Sequence, residues 1–149
     1  MSAIPTQGRN YFQPRLAIVQ ALLAQLQLPA SDLTEAHLEH FIGCGSAKIL
    51  EGVVGLELYP PVALLRSLAV VPSKRHTGLG AALLVEAERY AQSNGVSEIY
   101  LLTNTAERFF EHKGYQRVPR ESAPPAIRGT QEFAGLCPAS SALMRKRLA

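Results

Sequence analysis

Leu68-Ala69-Val70-Val71-Pro72-Ser73-Lys74-Arg75-His76-Thr77-Gly78-Leu79-Gly80-Ala81 is the stretch on which the reading of this chain turns. The apolar run that ends at Val71 has the composition of a buried strand, and Pro72 stops it. From Leu79 onward the apolar residues Leu79, Leu83, Leu84, Ala87, Tyr90 and Ala91 recur at helical spacing, while Glu86, Glu88 and Arg89 fall largely on other faces. Asn94-Gly95 supplies a left-handed stop. Between strand and helix lies a turn suited to an anion. A pyrophosphate needs several backbone N–H groups converging on one point, a favourable helix dipole and no side chain in the way. Gly78 and Gly80 carry no Cβ, the helix they open presents its first N–H groups, and Arg75 adds a charge-assisted contact. His76, Thr77, Leu79 and Ala81 complete this binding set. The amides and Arg75 already supply the charge, so the His76 ring is expected to face solvent.

Working outward, Leu16, Val19, Leu22, Leu23 and Leu26 define a helix from Arg15 to Leu28, bracketed by Pro14 and Pro29. Asp32 and Glu35 form a capping box for a short second helix reaching about His40. Phe41 to Cys44, Ile49 to Tyr59 and Val62 to Val71 read as three strands of an antiparallel meander, broken at Gly45-Ser46 and Pro60-Pro61. After the long helix, Ile99 to Thr103 is a strand. Asn104-Thr105-Ala106-Glu107 caps a helix that carries Phe109 and Phe110 and ends at Gly114. A strand near Tyr115 to Val118, a proline-bearing segment and a last strand near Ser141 to Leu148 follow. The order predicts an α/β (α+β) fold: a mixed, mostly antiparallel central sheet with helices on both faces, in a single domain over residues 1–149.

A chain of 149 residues has room for one ordinary core. No stretch approaches the roughly 20 apolar residues of a membrane helix. The start, Met1-Ser2-Ala3-Ile4-Pro5-Thr6, has no basic segment leading into an apolar one, so a cytoplasmic protein without membrane association is expected. Cys44 and Cys137 stand far apart in sequence, outside any C-x-x-C pair, which argues for free thiols and against a zinc site. His37 and His40 share a helical face, but no third ligand accompanies them, so no metal is expected. The net charge of +3 is scattered, apart from Lys74-Arg75 and Arg145-Lys146-Arg147. That suits a phosphate-bearing small ligand and not a nucleic acid.

The strand, the Arg75-x-x-Gly78-x-Gly80 loop, the amphipathic helix and the later Ala106-x-x-Phe109-Phe110-x-x-x-Gly114-Tyr115 helix end together resemble the GCN5-related N-acetyltransferase (GNAT) superfamily. The resemblance spans roughly residues 49–115. It implies that Arg75, Gly78 and Gly80 bind the pyrophosphate of acetyl-CoA, that Leu68, Ala69 and Val70 align the pantetheine arm through their backbone, and that Phe110 packs against it. Leu64 to Val70, Leu101-Leu102-Thr103 and Glu132 to Ser140 narrow the similarity to the arsenic-resistance N-acetyltransferases. The implied activity is transfer of acetyl from acetyl-CoA to a primary amine of a small molecule, in arsenic or xenobiotic resistance. An acyl-CoA-binding sensor or partner module with little turnover, and an acetyltransferase of protein N-termini or lysines, are the alternatives. A homodimer is left open.

Transfer needs a deprotonated amine, a stabilised oxyanion and a proton for the leaving thiolate. Glu57, in an otherwise apolar strand, is the candidate base, a solvated edge-strand glutamate being the alternative. The family's usual tyrosine acid is replaced here by Phe110 and its upstream asparagine by Thr103, so no acid is assigned. Arg66 and Ser67 interrupt an apolar strand just before the cofactor-aligning residues. The guanidinium either binds an oxyanion of the acceptor or forms a structural salt bridge. Cys137, between Leu136 and Pro138, is a candidate substrate contact on the strength of the subgroup similarity, the alternative being an inert core thiol.

Overall fold

The computed structural model describes residues 9–46 and 48–149. The start of the chain, read above as lacking a leader pattern, lies outside the described residues. The elements are β1 (Tyr11–Phe12), α1 (Leu16–Gln25), a 3-10 turn (His37–His40), β2 (Phe41–Gly45), β3 (Leu50–Tyr59), β4 (Val62–Val70), α2 (Leu79–Ser93), β5 (Glu98–Thr103), α3 (Glu107–His112), β6 (Gln116–Val118), α4 (Pro125–Arg128) and β7 (Ala142–Arg147). The sheet runs in the order β1-β2-β3-β4-β5-β7-β6. Its β1/β2, β2/β3, β5/β7 and β6/β7 pairs are antiparallel. β4 and β5 pair in parallel, through Val62–Leu64 with Glu98–Tyr100. The mixed, mostly antiparallel sheet expected from the order of elements is therefore present. Among the described residues no helix is long and apolar enough to cross a membrane.

Two compact units make up the chain. The first takes the sequence up to Gly55 together with Ser67–Ala87; the second takes Leu56–Arg66 together with Glu88–Ala149.

In the first unit Val19, Leu22 and Leu23 of α1 pack with Leu33, Leu38, Phe41, Leu50, Val53 and Ala69, all buried. Neighbouring residues of a strand point to opposite faces. Val53 faces α1, and a Cβ built on the preceding Gly52 would come within 2.8 Å of Leu83 and 3.1 Å of Leu79 on α2. The two helices thus cover opposite faces of β3. This explains why that strand is buried almost continuously instead of alternating.

In the second unit Leu64, Tyr100 and Leu143 of three neighbouring strands pack with Ala123 and Ile127. Tyr115, also buried, donates its hydroxyl to Glu88 at 2.9 Å, and Lys146 Nζ donates to the other oxygen of the same carboxylate at 3.0 Å.

Several expected boundaries are corrected. The predicted helix from Asp32 to His40 is only a run of turns ending in the 3-10 turn; the segment is too short to nucleate a helix before Phe41 enters the sheet. The box at Asn104–Glu107 does not form. The N-cap of α3 is Ala106, without a side-chain cap, and Thr103 Oγ1 instead accepts from the Ala106 amide at 3.0 Å. The proline-bearing segment, for which the sequence reading names no element, contains α4, where Pro125 occupies the first turn and has no N–H to lose. A further π-type turn follows at Glu132–Leu136.

Candidate functional site

The loop read from the sequence as an anion cradle belongs to the first unit. Pro72 to Gly78 are all exposed, whereas Leu79 is buried against β3 and anchors the start of α2. His76 and Gly78 both have left-handed backbone, with φ of 65° and 86°. Such left-handed residues, spaced along a turn, aim successive N–H groups into one concavity and make an anion nest. The left-handed His76 is a contribution that sequence alone did not reveal, since histidine carries no glycine-like signal for it. A helical bond runs from the Ala82 amide to the Gly78 carbonyl at 3.0 Å, so the amides of Leu79, Gly80 and Ala81 lie in the open first turn. Thr77 Oγ1 donates to the Lys74 carbonyl at 2.5 Å and braces the loop from within. Arg75 Nε donates to the Val70 carbonyl at 3.3 Å, which ties the arginine back to the end of β4. Chemically, the arrangement is a preformed, solvent-open cradle of backbone donors at the positive end of a helix, with a guanidinium beside it.

Ser67, also in the first unit, has φ of 61° inside β4, a left-handed non-glycine residue that interrupts the regular course of the strand. Leu68 and Val70 are half-buried and Ala69 is buried in the core under α1. His37 lies in the 3-10 turn, where its Nδ1 accepts from the Thr34 amide at 3.1 Å.

The second unit gathers the other predicted residues into a buried ion-pair cluster. Arg66 NH1 donates to Glu57 at 2.8 Å, and Arg66 NH2 lies 3.4 Å from Glu132; the three side chains are 0%, 7% and 6% exposed. Tyr59 donates its hydroxyl to the second Glu57 oxygen at 2.6 Å. Glu57 is therefore neither solvated nor on an edge strand. The guanidinium forms an ion pair with one oxygen of Glu57, and the Tyr59 hydroxyl holds the other, so the carboxylate is fixed from both sides. Cys137 adjoins the cluster: burial first, and then Glu132, push its thiol up to about 12, against the opposing pull of Arg66. Its protonated form is thereby stabilised. Phe110 is buried, edge-on to Phe109 at 5.1 Å and to Tyr115 at 5.6 Å.

Two members of this cluster were missed in the sequence. Tyr59 was legible, because residues two apart in a strand share a face. Glu132 was not, since it lies far along the chain in a segment without strand or helix periodicity.

A family profile described as an acetyltransferase (GNAT) domain matches residues 33–117. The chain is 36% identical over 66 residues to a protein of Chlorobaculum tepidum named uncharacterized N-acetyltransferase CT2212, covering 44% of this chain and 42% of that protein. Among solved structures, the N-acetylglutamate synthase of Neisseria gonorrhoeae, complexed with coenzyme A and N-acetyl-glutamate, superposes with a TM-score of 0.80 at 20% identity, covering 95% of this chain and 35% of that one. A GNAT-family acetyltransferase of Staphylococcus aureus superposes with a TM-score of 0.74 at 15% identity, covering 95% of this chain and all of the other (100%). This chain thus spans well under half the length of the Chlorobaculum relative and of the synthase, and its likeness to the solved structures is one of fold.

Proposed function

Because the chain belongs to the GNAT acetyltransferase family, we propose that it is an N-acetyltransferase, a single domain over residues 1–149, that transfers acetyl from acetyl-CoA to the primary amine of a small molecule. The observation that carries this reading is the exposed left-handed loop at His76 and Gly78, opening onto the free amides of Leu79 to Ala81. Its donors suit the diphosphate of the cofactor, with Arg75 as the cation.

In the reaction the amine nitrogen attacks the thioester carbonyl. The C–N bond forms, the C–S bond breaks, the amine gives up a proton, and the thiolate takes one to leave as free CoA. Glu57 is proposed to receive the amine proton, and the Arg66 and Tyr59 contacts keep its carboxylate oriented for that task. Ser67 and Cys137 remain proposed acceptor contacts. Phe110 has no hydroxyl to offer as an acid, so protonation of the thiolate falls to another group or to solvent.

An amino acid is the first acceptor to try, because the gonococcal synthase holds N-acetyl-glutamate. The sequence similarity to arsenic-resistance enzymes adds amino-acid-like arsenicals to the panel. Work in the cytoplasm is consistent with two free cysteines.

The test is calorimetric titration with acetyl-CoA, followed in the same sample by thiol release on adding small amines. Acceptor-dependent release is expected. Phe110 in the place of the usual acid favours a second reading, a sensor of acyl-CoA, which predicts tight binding without release. Absence of acetyl-CoA binding overturns both.

A further inference from the structure

Arg9 stands almost seventy positions before the phosphate loop, yet its NH2 donates to the Thr77 carbonyl at 3.2 Å. The same nitrogen lies 3.8 Å from the point a Cβ on Gly78 would occupy. Gly78 has no side chain to fill that space, so the guanidinium stands beside the bare backbone of the loop. Arg9 also lines, with Asn10, Ser46, Lys74, Thr77 and Leu79, a cleft of about 610 Å³ beside the loop.

Arg9 is half-buried, and the Thr77 carbonyl fixes its planar head. A guanidinium carries five N–H donors in one plane, so a head tethered through one of them still offers others to an anion. The loop cation recognised from sequence, Arg75, is tied through Nε to the Val70 carbonyl at 3.3 Å. Two guanidinium groups, each tethered to a backbone carbonyl, therefore border one nest of amides.

We propose that Arg9 is a cofactor-binding residue that contacts the diphosphate of CoA beside Gly78. The proposal rests on the reading of the loop given above. It adds to it a residue that comes from outside the recognised motif and that no pattern in the local sequence marks.

The test is Arg9→Gln, which retains an N–H donor for the Thr77 carbonyl and removes the charge, with Arg9→Lys as a charge-retaining companion. Affinities for CoA and 3′-dephospho-CoA are measured by calorimetry at low and at raised salt, with thermal unfolding as the check on folding. Arg9→Gln is expected to weaken both ligands by the same factor, about tenfold at low salt, as for loss of one charge-assisted contact. The loss should shrink at raised salt, and Arg9→Lys should recover part of it. Unchanged CoA affinity in Arg9→Gln overturns the proposal while leaving the loop's role intact. A loss that vanishes with 3′-dephospho-CoA also overturns it, because the contact would then be to the ribose phosphate. Failure of the wild-type protein to bind either ligand sinks the underlying reading of the loop, and this one with it.

Discussion

Replacing Arg66 with methionine keeps most of the apolar stem of the side chain and deletes the charged head from between Glu57 and Glu132. In the native protein the guanidinium is fully buried, 2.8 Å from one carboxylate and 3.4 Å from the other, and both carboxylate side chains are less than a tenth exposed. Removing one partner of a buried ion pair leaves uncompensated charge in a poorly solvated place and costs about 3–5 kcal/mol. For a domain of this size each kcal/mol lowers the melting temperature by about 2–4 °C, so Arg66→Met should melt roughly 6–20 °C below wild type. Adding Glu57→Gln and Glu132→Gln removes the stranded charges and should restore most of that loss, since an ion-pair cluster replaced as a whole is often nearly neutral. Differential scanning calorimetry on the single and triple variants is the assay. CoA affinity below the melting range should stay within about twofold of wild type, because the amides of the loop are held by other contacts. A single variant that melts within about 2 °C of wild type would refute the argument. It would mean that the guanidinium is not bound up in holding the two carboxylates together.

Gly78→Val places a branched side chain on a left-handed residue (φ of 86°) at an exposed turn. The strain of about 1–2 kcal/mol leaves the fold standing, and CoA affinity should fall by about tenfold or more in calorimetry if, as proposed, the loop amides hold the diphosphate, since the new Cβ branches would crowd them. A Cβ on Gly55 would lie 2.3–2.6 Å from ring atoms of Phe41, so Gly55→Ala should cost about 1–3 kcal/mol in urea unfolding. Combination with Phe41→Leu should recover part of that. The Cys137 thiol, pushed up to about 12 from 9.0, should react with a disulfide reagent at pH 8 far more slowly than the same thiol in unfolded protein. The linked stability is fully present below about pH 9, where both states hold the proton, and declines as pH rises through about 12. Cys137→Ala should flatten that alkaline arm of the stability curve, and an unchanged arm would count against the cause given.

Much of the fold was legible wherever one period ran long enough. The strand, loop and helix from Leu68 to Ser93, and the strands β3, β5 and β7, stand close to where patterning placed them. What escaped was short or non-local. β1 has two residues, too few for alternation to register. Asp32 and Glu35 imitate a capping box in front of a segment that cannot extend, because Phe41 is claimed by the sheet through its pairing with Gly55. α4 is four residues long and opens on Pro125, so it offers no periodicity from which a helix can be read. At the candidate site the arginine and glycines of the loop form a pattern visible in the sequence, whereas the meetings of Arg9 with Thr77 and of Glu132 with Arg66 leave no such pattern. Arg9 and Glu132 are each delivered by tertiary folding from a stretch with no periodicity of its own, and a single sequence holds no record of such long-range meetings.

The glycine at position 52 shapes the proposed cofactor loop from beneath, through the start of α2. Leu79 and Leu83 rest where its side chain would be, with the Ala69 carbonyl at 3.3 Å on the same point. Leu79 is the first residue of α2 and a direct neighbour of the nest, so the bareness of one strand residue sets how low the helix rides on the sheet and how far its leading amides project. A methyl group there would act as a shim. It would raise the helix entrance by a fraction of an ångström and detune the grip on the anion, while the hydrophobic layers on either side stayed assembled. Drift at such a position would surface as a poorer appetite for cofactor in a protein that still folds, and the cause would sit beneath the loop, in a residue that no contact list for a bound ligand would include.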